Sequence, residues 1–212
     1  MRKFKDCSKK RGYMNRKILL LMIGLLLPIS IYAQSDYAFK ISGGMINTPN
    51  IDEEIVINED DPEMLFKEYE GKEGYVYKLS AVIKYAEFGY KILNYTAEKD
   101  KDGEKGDIEF DTQTAYAAIY FGDPVAFAGL NMSIGVGTGI TKLTINREFE
   151  GNPSKIENGL AYAKETHYFA GLHYGMSDTY GFSLAYEAQT MKTVVGNDFT
   201  NDFVELTIDY MF

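Results

Sequence analysis

From Tyr37 to Phe212, large apolar residues return at every second position in one segment after another. Side chains alternate across a β-strand, so such segments form walls with one greasy and one polar face. The last segment is the plainest. Val204, Leu206, Ile208, Tyr210 and Phe212 alternate with Glu205, Thr207, Asp209 and Met211. The pattern persists to the final residue, where ordinary domains tend to fray.

Eight strands can be read this way. The first, Tyr37 to Met45, puts Tyr37, Phe39, Ile41 and Met45 on one face. The second, Tyr75 to Tyr85, sets Tyr75, Tyr77, Leu79, Ala81 and Ile83 against Lys78, Ser80 and Lys84. The third, about Phe88 to Ala97, begins Phe88, Tyr90, Ile92 and then shifts phase to Leu93 and Tyr95, which suggests a bulge. The fourth, Ile108 to Phe121, sets Ile108, Phe110, Tyr116 and Tyr120 against Glu109, Asp111, Gln113 and Ala115. The fifth runs Val125 to Ile145, the sixth Ala161 to Met176 and the seventh Tyr180 to Thr193; the eighth ends the chain. Short turns are expected near Glu87, at Gly122-Asp123-Pro124 and at Ser177-Asp178-Thr179. Long polar loops are expected at about 46–74, 98–107, 146–160 and 194–202. Short turns at one end and long loops at the other are the layout of a transmembrane β-barrel. The expected fold is all-β: an eight-stranded antiparallel up-and-down barrel.

The start of the chain reads as a targeting segment. Residues 1–17 carry eight basic residues against one acid, Asp6, and an apolar run from Ile18 to Ile31 precedes Ala33. A positive stretch, a short greasy stretch and a small residue make a cleavable signal peptide, here residues 1–33. The apolar run falls short of the roughly 20 residues of a membrane span. Met14 offers an alternative start, since Met14 to Ala33 alone forms a compact signal. The barrel domain would be residues 34–212. Removing eight basic residues and Asp6 takes the formal charge from −9 to −16. So acidic a chain does not suit nucleic acid, whose phosphates need a basic face. Cys7, the only cysteine, would leave with the leader, so no disulfide or thiolate chemistry is expected of the mature chain. Tyrosines number 17 and tryptophans none. Tyrosine suits a membrane interface, where the ring is buried and the hydroxyl stays wet.

Alternation does not say which face points outward. The second face decides. It holds Gly135, Gly137, Gly139, Gly171, Gly175, Gly181, Ala115, Ala185, Ser80, Ser133 and Ser183 among its charges. Glycine weakens a strand and gains nothing on a wet wall, but it makes room in a crowded eight-stranded lumen. The aromatic and aliphatic face is therefore expected on lipid. The lumen is expected to hold Lys78, Lys84, Glu109, Asp111, Gln113, Glu165, Glu187, Gln189, Glu205 and Asp209. Both signs are present, so pairing is expected, because an unpaired buried charge costs several kcal/mol. That makes a polar plug in place of an open path.

The candidate chemistry is thin. His167 and His173 stand six apart on the sixth strand, about 20 Å, too far to share a metal. Glu98, Asp100, Asp102, Gly103 and Glu109 overlap a calcium-loop spacing, but position 1 is Glu and Lys105 stands where an apolar residue belongs. A solvated hairpin tip is the expectation. Residues 46–74 carry ten acids and two lysines. Such a run suits plain solubility and mutual repulsion, and a loop that long also suits contact with an extracellular, basic protein or with divalent cations. No catalytic, cofactor-binding or metal-binding residues are assigned, and no cofactor is expected.

The leader, the eight alternating strands, the lopsided connections and the closing run to Phe212 together resemble the small bacterial outer-membrane β-barrels of the OmpA/OmpX type. The resemblance implies residence in the outer membrane among lipid and lipopolysaccharide, and recognition of the strand ending in Phe212 by the barrel-assembly machinery. It implies a structural or interaction role (adhesion, envelope integrity), with a narrow porin-like channel as the alternative. Lipid A modification and a soluble lipocalin-like binder rank lower. The lipid A deacylases of the outer membrane use His and Ser two apart on one strand; here Phe169 follows His167 and Gly175 follows His173, so that pattern is missing. No peptidoglycan-binding segment is expected after the barrel.

Overall fold

The computed structural model describes residues 37–47, 55–56, 65–66, 69–72, 74–101, 104–122, 129–149, 156–177, 179–193 and 198–212. Residues 1–36, where the signal peptide is expected, most of the acidic first loop, Asp102-Gly103, Asp123-Pro124 and Asp178 lie outside the described residues.

The barrel strands are β1 (Tyr37–Asn47), β2 (Gly74–Ile83), β3 (Ala86–Lys101), β4 (Glu104–Tyr120), β5 (Gly129–Phe149), β6 (Ile156–Gly175), β7 (Tyr180–Thr193) and β8 (Asp198–Met211). Each pairs antiparallel with its chain neighbour, and β1 pairs with β8 to close the ring. At the seam Phe39 and Phe212 exchange backbone hydrogen bonds of 2.9 Å in both directions. Two short pieces of the first long loop, Ile55–Val56 and Leu65–Phe66, pair with each other, and Glu70–Gly71 pairs onto β3.

A tilted strand of about 10 residues crosses a bilayer. β5 and β6 have 21 and 20 residues, β3 and β4 have 16 and 17. The wall therefore continues well past the lipid. Its polarity reverses with height. In the lower part Ile134, Leu184 and Ile208 are about half exposed on the outside, while Glu187 and Glu205 are fully buried within. In the upper part the apolar residues turn inward: Leu93, Tyr95, Ile108, Phe110, Leu143, Ile145, Met191 and Phe199 form one buried cluster. The same chain is thus an inside-out barrel below and an ordinary water-facing β-wall above.

The structure corrects four expectations. Glu109, Asp111, Gln113 and Ala115 point outward, and Ile108, Phe110, Thr112 and Thr114 point in. Those acids belong to the part of β4 beyond the lipid, where water takes the outer face. Tyr116 and Tyr120, expected on lipid, point into the lumen, where their hydroxyls find a carboxylate. There is no bulge in β3: its pairing with β2 and β4 runs without a break, and Leu93 and Tyr95 point inward in phase with Glu87 and Lys91. The first short turn is at Lys84-Tyr85, with Lys84 at φ 53° and exposed, so Lys84 is not luminal and Glu87 is.

Candidate functional site in the barrel lumen

The lumen is built by inward residues from all eight strands. At its lower level Lys40 of β1 donates to Glu87 of β3 at 2.7 Å and to the Tyr120 hydroxyl at 3.0 Å. Tyr116 donates to the other Glu87 oxygen at 2.6 Å, and Tyr120 also donates to Glu87. The next level holds two further ion pairs, Lys78–Glu205 and Lys91–Glu187. Above them Glu165 accepts from Thr114, Gln189, Thr141 (3.1 Å) and the His167 ring (3.1 Å). Asn201 donates to Tyr95 at 2.8 Å, and Tyr95 stacks on Phe110 with centroids 4.3 Å apart. That stack begins the apolar cluster that fills the upper end. Val82 and Met211 form a smaller apolar cluster at the lower end.

Among the described residues each luminal lysine has a carboxylate. The two carboxylates without a lysine, Glu165 and Asp209, stand in networks that contain the two imidazoles. His173 shares one hydrogen bond of 2.6 Å with Ser183, which donates to Asp209. Its other ring nitrogen lies 2.7 Å from Ser133 Oγ. A His with a Ser is therefore present after all, but the Ser comes from the neighbouring strand. The chain Ser133–His173–Ser183–Asp209 borders a void of about 10 Å³, also lined by Lys40 and Ser42, room for a single water. It can hold a proton or a water, and it has no space for a lipid.

The glycines serve the packing. Gly89 lies against the Tyr116 ring, where an added Cβ would come within 2.5 Å of Cζ. Gly135 and Gly137 receive the rings of Phe169 and His167 in the same way. Without these hollows three rings could not share the lumen with the ion pairs.

The structure thus brings together Lys78, Glu165, Glu187, Gln189, Glu205 and Asp209 as expected, and leaves Lys84, Glu109, Asp111 and Gln113 out. Lys40, Glu87, Lys91 and Tyr116 were not foreseen in this cluster. Lys40 and Lys91 carried a signal, since each falls between outward apolar neighbours: Phe39 and Ile41, Tyr90 and Ile92. Residues 98–101 and 104–107 lie in the β3–β4 ladder, with Glu98 opposite Asp107 and Asp100 opposite Lys105, so that spacing is spent on strand pairing. Among the described residues no group of three acids, histidines or cysteines is placed to hold a metal.

Outside, the lower wall is a continuous apolar belt that includes Tyr77, Tyr168, Tyr174 and Tyr180, each at least half exposed. A solvated protein rarely bares so large a patch. A closed ring of strands with that belt and an ion-paired interior meets the demand that lipid makes on backbone and side chains alike. The chain has the fold of a small outer-membrane β-barrel. Known structures agree. Ail, the attachment invasion locus protein of Yersinia pestis, matches over 84% of this chain and all of its own, with 15% identity and a TM-score of 0.52. The outer membrane protein OprG of Pseudomonas aeruginosa matches over 84% of this chain and 97% of its own, with 14% identity and a TM-score of 0.52. Identities so low establish the small-barrel fold and nothing finer. No family model and no curated protein matches the sequence.

Proposed function

We propose that this protein is a bacterial outer-membrane barrel that conducts no solute and serves as a rigid stake for its extracellular rim. One observation carries the reading: three cross-lumen ion pairs, Lys40–Glu87, Lys78–Glu205 and Lys91–Glu187, stand between apolar clusters at both ends. An ion crossing such a lumen would have to break buried pairs, each of which would leave an uncompensated charge. The extended β3–β6 wall and the acidic first loop then carry the interaction role, toward an extracellular protein, divalent cations or lipopolysaccharide. The Ser133–His173 chain is read as part of the plug and not as a catalytic centre, because its void admits only a water. The terminal strand supports recognition by the assembly machinery, with Phe212 against Phe39 and Tyr210 at centroid distances of 6.2 and 5.7 Å.

Planar-bilayer recording tests the reading. The refolded barrel should stay silent at voltages where porins conduct. Steady unitary conductance would establish the narrow-channel alternative instead.

A further inference from the structure

Three lysines stand in a row on the outer wall just above the apolar belt: Lys142 on β5, Lys164 on β6 and Lys192 on β7. Lys164 lies directly opposite Lys192. Like charges facing each other across a strand pair are destabilising, so stability does not explain them. Lys164 makes no ion pair among the described residues. Lys192 leans 3.5 Å from Asp198 with its side chain 61% exposed, and Lys142 lies 4.0 Å from Asp111.

Their height is informative. On β6 the apolar series that ends at Tyr168 gives way upward to Thr166 and Lys164, with Tyr162 and Leu160 exposed beyond them. Four residues along a strand are about 13 Å, and a tilt near 45° makes that about 9 Å above the belt. Tyrosine rings mark the headgroup boundary, and long lysine stems rooted just above it can bend back to carry their amines to the lipid phosphates. The row does not extend onto β4, where the register places Gln113 opposite Ile140 and Asp111 opposite Lys142. Between the lysines, Ile140 and Tyr162 are exposed, at 58% and 50%. Ile140 pairs with Lys164, and Tyr162 with Lys142. An amine row interleaved with apolar side chains fits an amphiphile better than a fully hydrophilic polyanion.

We infer that Lys142, Lys164 and Lys192 clasp the phosphate groups of a phosphorylated glycolipid in the leaflet facing the long loops. The inference rests on the barrel lying in that membrane, which cell fractionation tests separately. An anion between Lys164 and Lys192 would turn a repulsion into a bridge.

The test uses the full barrel in mixed micelles, with lipid A and chemically dephosphorylated lipid A as probes, read by native mass spectrometry. Wild type should retain lipid A over its dephosphorylated form. Lys164→Gln/Lys192→Gln should lose roughly fivefold in that preference per lysine, Lys164→Arg/Lys192→Arg should keep it, and Lys105→Gln on the other wall should change nothing. Heat-modifiable migration confirms that every variant is folded. Equal retention of both probes by wild type overturns the inference, as does unchanged retention in the double Gln variant. Preferential binding of a sulfated polysaccharide, lost in the double Gln variant while lipid A retention is not, would also overturn it and assign the row to a soluble polyanion.

Discussion

Lys91→Met is the sharpest probe of the plug. Both side chains of the Lys91–Glu187 pair are at most 2% exposed. Methionine follows the lysine stem in length and keeps contact with Phe203, whose ring lies 5.7 Å from the Lys91 amine. What it removes is the charge. Glu187 is then stranded, because the other nearby amine, Lys78, is committed to Glu205. Stranding a buried charge costs about 3–5 kcal/mol, or two to nearly four orders of magnitude in the folding equilibrium. Replacing both partners, Lys91→Met with Glu187→Met, removes the pair without an orphan. Such swaps are often neutral or stabilising. The double variant should therefore recover most of the single variant's loss, a coupling of about 2 kcal/mol or more. The protein has no tryptophan, so the folded fraction is best followed by gel migration across a urea titration in vesicles. If the double variant merely sums the two singles to within about 0.5 kcal/mol, the pair is not an energetic unit and the reasoning fails.

Other outcomes follow from the same geometry. Gly89→Ala should push Tyr116 off Glu87 and cost about 1–3 kcal/mol by overpacking, read by the same titration. Phe110→Ala should cost about 3–5 kcal/mol from the upper cluster yet leave the bilayer trace silent, since the ion pairs remain beneath it. Ile208→Lys, at the middle of the belt, should cost about 2–4 kcal/mol, whereas Glu109→Lys on the extension should cost at most about 1. A large penalty at Glu109 would restore it to the lumen.

The architecture was legible because a barrel writes itself in period two. In β7 and β8 burial alternates without exception, and Glu187, Glu205 and Asp209 fall in the lumen by phase once the small residues on their face mark it as inward. Phase alone also misled. On β4, Ile108 and Phe110 share a face with Tyr116 and Tyr120, and that face was assigned to lipid because it holds the large rings. One rule for the greasy face holds only where lipid is the solvent. Above the bilayer the rule inverts, and β3 shows the inversion inside one strand: Phe88, Tyr90 and Ile92 point out, then Leu93, Tyr95 and Ala97 point in. That switch looked like a bulge and is the mark of the water boundary. The Ser133–His173 contact was not legible, because cross-strand register depends on where the turns fall.

The water boundary is therefore the claim to test most directly. In a Cys7→Ser background, single cysteines placed along the outer wall can be challenged with a membrane-impermeant maleimide in intact vesicles. Cysteines at Ile134, Leu184 and Ile208 should resist it, and cysteines at Glu109, Asp111 and Asp198 should react. Protection at Glu109 and Asp111, or ready labelling at Ile134 and Ile208, would contradict a wall that changes its solvent partway up.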